Sequence, residues 1–203
     1  MKKAVMVALV LLALGLTLVI LIEEPAPDFT VVDVYGQPFK LSEHRGEVVI
    51  LKFMFTTCPT CQEETNVLKI VRGSYSESDL VIVSLSVGRL DDESVLRAYK
   101  ETNQADWVFA MDNENAADLY GVRSVPHIFV IDGSGRIASS YVGLLDVDGV
   151  SSRIDSAMSL IDPVITVILS VILIVTALGI LLYLGYTKRD LIAGRFLGGA
   201  DEN

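Results

Sequence analysis

The sequence is poor in the residues that usually bind metals, with only two cysteines and two histidines among 203 residues. Structural zinc normally takes four Cys or His ligands. The only candidates besides the two cysteines are His44 and His127, which do not have the paired spacing of such a site, so zinc is disfavoured. A structural disulfide between Cys58 and Cys61 would close a loop too short to constrain the unfolded chain much. A C-x-x-C pair near a β-α-β pattern favours redox catalysis instead, and this chemistry implies no metal and no cofactor.

Basic residues are also scarce in the middle of the chain. Residues 23–162 contain 11 Lys and Arg against 23 Asp and Glu, a net charge of −12. Nucleic acids and anionic lipid surfaces repel a domain with this charge. The composition therefore excludes a nucleic-acid partner.

Two long uncharged runs account for much of the 51% hydrophobic content, one over residues 4–22 and the other over 163–187. Each is long enough for a bilayer core, which needs roughly 20 apolar residues. The first run could be a cleaved signal peptide, but it exceeds the roughly 7–15 apolar residues of a signal core. Bulky Leu21 and Ile22 before an acidic pair also make a poor cleavage site. We therefore favour an uncleaved anchor.

Positive charges at both ends of the chain predict its orientation in a membrane. Lys2 and Lys3 precede the first run, and Lys188 and Arg189 follow the second. By the positive-inside rule both termini are then cytoplasmic, and the middle of the chain is extracytoplasmic at the cell membrane. The predicted organisation is an N-terminal anchor (1–24), a folded domain (25–162), a transmembrane helix (163–187) and a cytoplasmic tail (188–203).

The pattern of the folded domain predicts an α/β fold. Residues 48–55 form a nearly continuous apolar run, which is typical of a central strand covered on both faces. Turn, capping and periodicity signals predict a hairpin, a βαβ unit, a helix, a second hairpin and a last helix. The result is a mixed sheet with helices on both faces. The predicted strands are 29–34, 39–40, 48–55, 80–85, 108–110, 127–131 and 137–142, and the predicted helices are 62–72, 91–102, 116–120 and 146–161.

The surroundings of the cysteines predict a reactive thiol. The strand ending at Phe55 turns so that Cys58 stands at the start of a helix, and Pro59 suits the first helical position. The free N–H groups and the positive end of the helix dipole stabilise a thiolate at Cys58. Cys61, one turn further along, is held close enough to attack a mixed disulfide. We therefore expect Cys58 to be the nucleophile and Cys61 the resolving thiol.

Three motifs carry a resemblance to a known family: Ala26-Pro27-Asp28-Phe29, Cys58-Pro59-Thr60-Cys61 and Gly121-Val122-Arg123-Ser124-Val125-Pro126. Over residues 25 to about 160 the chain resembles the thioredoxin superfamily. More narrowly, it is similar to membrane-tethered redoxins of the type of the cytochrome c biogenesis thiol–disulfide reductases. The resemblance implies a thioredoxin-like fold, which the two uncharged runs would flank with transmembrane helices. It also implies protein disulfides as substrates and a transmembrane thiol carrier as electron donor.

The resemblance also implies roles for two further residues. Pro126 would follow a cis peptide bond, face the active cysteines and leave the backbone of Val125 free to pair with a substrate strand. Glu64 matches an acidic residue on the active-site helix that would tune the thiols or relay a proton. An ordinary solvated carboxylate is the alternative for Glu64.

The sequence departs from the family pattern at three positions. Thr57 stands where tryptophan usually precedes the first cysteine, and Asn66 where the active-site helix usually has proline. Lys52, six residues before Cys58, replaces a buried acid or an amide. Its charge could favour a thiolate; we favour the alternative that its stem packs along the strand while the ammonium reaches water. His127, next to Pro126, is expected to be merely partly exposed.

These features leave several functions open. A reductase of secreted or membrane proteins, apocytochrome c among them, is favoured by the Pro-Thr dipeptide between the cysteines. A disulfide oxidase or isomerase would use the same residues in the other direction. A copper-site assembly factor normally spaces its cysteines by three residues, so only His127 supports it. A peroxiredoxin needs a hydroxyl residue three positions before the cysteine, where this chain has Phe55.

Overall fold

The computed structural model describes residues 25–159 and 169–181. Two short strands form an antiparallel hairpin, and five others form the main sheet in the order β5-β4-β3-β6-β7. The strands are β1 (Thr30–Val32), β2 (Pro38–Lys40), β3 (Val48–Met54), β4 (Leu80–Ser86), β5 (Val108–Met111), β6 (His127–Ile131) and β7 (Ile137–Val142). The helices of this domain are α1 (Pro59–Arg72), α2 (Glu93–Thr102), α3 (Ala116–Leu119) and α4 (Val147–Met158), with a 3-10 turn at Leu41–His44.

Strand β3 is the centre of the sheet, and all seven of its residues are buried. It pairs parallel to β4 on one side and antiparallel to β6 on the other. Its apolar run suits a strand that is covered on both faces. The predicted mixed α/β sheet of thioredoxin type is therefore confirmed.

Two hydrophobic clusters cover the two faces of the sheet. One cluster contains Cys58 and Cys61 and is built with apolar side chains of α1, α2 and α4, among them Leu68, Val71, Leu96, Val150 and Ile154. The other lies under the β1–β2 hairpin and α3, with Phe29, Phe39, Ala116 and Tyr120 among its members. Helices thus lie on both faces, and the longer ones lie on the side of the cysteines.

Three helices start at other residues than their predicted ranges. Helix α1 begins at Pro59, the residue predicted to suit the first helical position, and not at residue 62; Cys58 is its N-cap. Helix α4 begins one residue late, at Val147. Helix α2 begins at Glu93 rather than at residue 91, because the Asp92 side chain caps it by accepting a hydrogen bond from the Val95 N–H. The Asp91 carboxylate instead accepts hydrogen bonds from Thr56, in the loop before the cysteines.

The predicted membrane segments fall largely on residues that the structure does not describe. Over residues 25–159 and 169–181, no helix combines the length and apolar character needed to cross a bilayer. Residues 169–181 are helical, and they are the only described part of the predicted span 163–187. The predicted anchor 1–24 and the predicted tail 188–203 lie outside the described residues.

Candidate active site

Cys58 and Cys61 form a disulfide at the N-terminus of α1, with their Cα atoms 5.2 Å apart. The Cys58 sulfur accepts a hydrogen bond from the Cys61 N–H at 3.1 Å, so the cysteine itself caps the helix. Cys58 is 6% exposed and Cys61 is fully buried. The first sulfur is therefore the more accessible one, and free N–H groups at a helix start favour a thiolate there.

The loop before the cysteines is held by Asp91, which follows β4. Its carboxylate accepts hydrogen bonds from the Thr56 N–H at 2.9 Å and the Thr56 hydroxyl at 2.5 Å. The Ser86 hydroxyl also donates to it. Gly88 lies against the same loop, since an added Cβ there would come within 2.7 Å of the Phe55 Cβ. The turn that presents Cys58 is thus fixed from the β4–α2 connection, a contact that no sequence signal indicated.

Lys52 lies beneath the first turn of α1, and the expectation that its ammonium reaches water is wrong. The side chain is fully buried. Its Nζ donates to the Cys61 carbonyl oxygen and to the Thr65 hydroxyl, each at 2.8 Å. Burial lowers the pKa of Lys52 to about 7, while the negative charge of Glu64 acts in the opposite direction. The physical reason for the difference is that β3 is covered on both faces, which leaves the stem no route to solvent.

Glu64 is also fully buried, so the alternative of a solvated carboxylate is wrong. Its Oε1 accepts a hydrogen bond from the Tyr141 hydroxyl at 2.6 Å. Burial raises the pKa of Glu64, against the opposing effects of the Tyr141 hydroxyl, the Lys52 charge and the Leu145 backbone. A buried carboxylate on the turn after Cys61 can hold or release a proton near the dithiol. Tyr141, on β7, could not have been found from the sequence.

Pro126 follows a cis peptide bond with Val125, as the resemblance implies. Val125 packs against the cluster that contains both cysteines, and the Pro126 carbonyl accepts from the Gly143 N–H at 2.9 Å. His127 begins β6 beside Phe53 of β3. Its ring lies 4.3 Å from that of Phe129, and burial lowers the pKa of His127. The histidine is part-buried, as expected.

The copper alternative gains no support from the described part of the chain. Over residues 25–159 and 169–181, no group of three or more His, Cys, Asp and Glu side chains is arranged to hold a metal ion.

Comparison with known proteins agrees with this geometry. The sequence pattern of the AhpC/TSA family matches residues 22–140. The chain belongs to the AhpC/TSA family. A curated relative, the thiol-disulfide oxidoreductase ResA of Geobacillus thermodenitrificans (strain NG80-2), is 24% identical over 164 residues, which cover 76% of this chain and 93% of the relative.

The fold of this AhpC/TSA protein is also similar to that of solved structures. A thiol:disulfide interchange protein of the thioredoxin family from Chlorobium tepidum TLS superposes with a TM-score of 0.62 at 23% identity, over 66% of this chain and 96% of that one. A putative thiol:disulfide interchange protein DsbE from Chlorobium tepidum gives a TM-score of 0.60 at 25% identity with the same coverage. The predicted enzyme class, a thioredoxin-like thiol–disulfide oxidoreductase, is confirmed.

Proposed function

We propose that this protein is a membrane-anchored, extracytoplasmic reductase of the ResA and DsbE type. It would reduce disulfides of secreted or membrane proteins, apocytochrome c among them. The observation that carries the proposal is the Cys58–Cys61 disulfide at the N-terminus of α1, with its more accessible sulfur on the helix cap. The names of the relatives, thiol-disulfide oxidoreductase and thiol:disulfide interchange protein, support the same chemistry.

The proposed cycle transfers two electrons from the dithiol to the substrate. The Cys58 thiolate attacks one sulfur of a substrate disulfide, which forms a mixed disulfide and releases the other substrate sulfur as a thiolate that takes a proton. The Cys61 thiol loses its proton and attacks the Cys58 sulfur. The Cys58–Cys61 disulfide forms, and the second substrate sulfur leaves and is protonated. A dithiol on a membrane carrier then reduces the pair by the reverse exchange.

Glu64 and Pro126 have supporting roles in this proposal. Glu64 accepts the proton that Cys61 must lose, and burial, which raises the pKa of Glu64, makes the carboxylate a better proton acceptor than a solvated one. Pro126 and the backbone of Val125 form the surface against which a substrate strand would lie. The packing of Val125 against the cluster of the cysteines supports this placement.

A membrane location would raise the concentration of the active site near membrane-bound partners. The uncharged runs 4–22 and 163–187 and their flanking positive charges support the two-span topology. In cells lacking the protein, the full chain is expected to restore function better than a soluble fragment of residues 23–162. Equal restoration by the fragment would contradict a role for the spans.

A trapping experiment tests the direction and the substrate together. Cys61→Ser should stop the cycle at the mixed disulfide, so that the captured proteins can be identified by mass spectrometry. The proposal expects cytochrome precursors or other proteins whose cysteines are needed as thiols. In wild-type cells the pair should be mostly reduced. A mostly oxidised pair together with captured folding intermediates of disulfide-bonded proteins would favour the oxidase or isomerase instead.

A further inference from the structure

The Lys52 ammonium is not needed to satisfy the hydrogen-bonding capacity of the groups around it. The Cys61 carbonyl oxygen already accepts from the Thr65 hydroxyl at 2.8 Å. The Tyr99 hydroxyl lies 3.5 Å from the same oxygen and 3.0 Å from the Thr65 hydroxyl. A carbonyl oxygen has two lone pairs, so the Lys52 ammonium is an additional donor to an acceptor that is already well supplied.

Burying this ammonium is expensive, and packing alone would be better served by an apolar side chain. Removing a charged group from water costs several kcal/mol unless it is well compensated. Lys52 is fully buried and has two hydrogen bonds, to a carbonyl and to a hydroxyl, but no carboxylate at ion-pair distance among the described residues. Such a cost is typical of a group retained for function.

The titratable groups around the ammonium come from three elements. Glu64 on α1 is the carboxylate that acts on it electrostatically. Tyr99 on α2 reaches it through the Thr65 hydroxyl. Tyr141 on β7 binds Glu64 from the other side. The ammonium therefore contacts the cysteine turn directly and interacts electrostatically with the buried carboxylate of Glu64.

A cation at this place adds to the field of the helix. The N-terminus of α1 carries a partial positive charge that favours an anion at Cys58. Lys52 donates to the Cys61 carbonyl at 2.8 Å, so the ammonium, when protonated, places a positive charge against the turn that carries both cysteines. Inside a protein the effective dielectric constant is lower than in water, so the attraction between such a charge and a thiolate on the same turn is stronger than it would be in water.

We propose that Lys52 is a positioning residue for the dithiol: its buried ammonium fixes the Cys61 carbonyl and stabilises the thiolate that appears when the Cys58–Cys61 disulfide is reduced. Reduction adds two electrons and breaks the S–S bond, which leaves a thiolate on Cys58 and, after uptake of one proton, a thiol on Cys61. This role rests on the proposed function and deepens it, because it names the residue that sets the reactivity of the nucleophile.

The test is the pH profile of Cys58 alkylation in the reduced full-length protein. The rate with iodoacetamide is measured from pH 5 to pH 10, and the modified cysteine is identified by fragmentation mass spectrometry. Lys52→Met removes the charge and the donor, whereas Lys52→Gln keeps a donor without the charge. In both variants the midpoint of the alkylation profile is expected to rise by about one pH unit. This corresponds to a tenfold fall in the acid dissociation constant of the Cys58 thiol.

Lys100→Met is the matched control, since Lys100 also donates to a backbone carbonyl, that of Trp107, at 2.6 Å. Its midpoint should equal that of the wild type. An unchanged midpoint in Lys52→Met overturns the proposal. A wild-type midpoint in Lys52→Gln with a shift in Lys52→Met alone would overturn the role of the charge. Lys52→Gln also serves if Lys52→Met does not fold.

Failure of the proposed reductase function would give a different result from failure of the role of Lys52. If the wild-type protein reduces no protein disulfide, as measured with insulin and a dithiol donor, the proposed function fails whatever the profiles show. If the wild type is active and Lys52→Met keeps its midpoint, only the role of Lys52 fails.

Discussion

Glu64 and Lys52 show how burial changes the chemistry of single residues in this protein. Both stand on segments that the sequence places correctly, one on the active-site helix and one on the central strand. Both are fully buried, whereas a charged residue on a helix or strand is usually solvated. The prediction for Lys52 was wrong although the continuous apolar run of β3 already indicated a strand covered on both faces.

The raised pKa of Glu64 has a consequence for stability. Burial raises this pKa, so the folded chain holds the carboxyl proton to a higher pH than the unfolded chain, whose value is about 4.3. The stabilisation from the protonated carboxyl is complete below about pH 4.3 and is lost as the pH rises through the folded pKa. Glu64→Gln cannot titrate. Its free energy of unfolding relative to wild type should therefore increase as the pH rises from 4 towards 8, as measured by urea denaturation.

Glu63→Gln is the control for this measurement, because Glu63 is exposed on the same helix. The free energy of unfolding of Glu63→Gln relative to wild type should depend less on pH than that of Glu64→Gln, because an exposed side chain keeps its solvent on folding. A constant difference for Glu64→Gln would contradict the assignment of a raised pKa to this carboxyl.

At the scale of elements, the strands and helices follow the sequence closely, and the differences lie at their ends, above all at helix starts. The apolar runs and turn residues predicted all seven strands, and Pro59 at the first helical position agreed with Cys58 as N-cap. The start of α2 was misplaced because Asp91 and Asp92 look equivalent in the sequence. Only the folded chain brings Asp91 to Thr56, a contact across 35 positions.

The Asp91 contacts should be worth more than an ordinary helix cap. Asp91→Ala leaves the Thr56 N–H and the hydroxyls of Thr56 and Ser86 without their acceptor. Each buried group left unsatisfied costs about 1–3 kcal/mol. Asp92→Ala, which removes only the cap of α2, should cost about 1 kcal/mol. Urea denaturation of both variants measures the difference, and an equal or smaller loss for Asp91→Ala would refute the anchoring role.

The close approach at Gly88 gives a second prediction at this scale. Gly88→Ala would bring a Cβ to 2.7 Å from the Phe55 Cβ and 2.8 Å from an Asp91 carboxylate oxygen. Overpacking of this kind costs about 1–3 kcal/mol. Gly73→Ala is the control, since its added Cβ would be 3.5 Å from the nearest atom. Thermal unfolding should separate the two variants; similar melting temperatures would contradict the tight contact.

At the scale of the whole molecule, residues 25–159 belong to one compact unit, and the helix 169–181 belongs to another. The two uncharged runs predict that the redox unit lies outside the membrane with both termini inside.

Thiol labelling in intact cells tests this topology. After mild reduction, Cys58 should react with a membrane-impermeant maleimide. A cysteine introduced as Ala200→Cys, in a chain carrying Cys58→Ser and Cys61→Ser, should react only after the cells are permeabilised. Labelling of the introduced cysteine in intact cells would contradict the predicted orientation of the tail.

The reduction potential of the Cys58–Cys61 pair tests the central claim most directly. It is measured on the full-length protein by equilibration with glutathione redox buffers at pH 7. A reductase is expected to have a potential near that of thioredoxin, about −270 mV, and clearly more negative than about −180 mV. A value between about −180 and −120 mV, the range from protein disulfide isomerase to the strongest disulfide donors, would contradict the account.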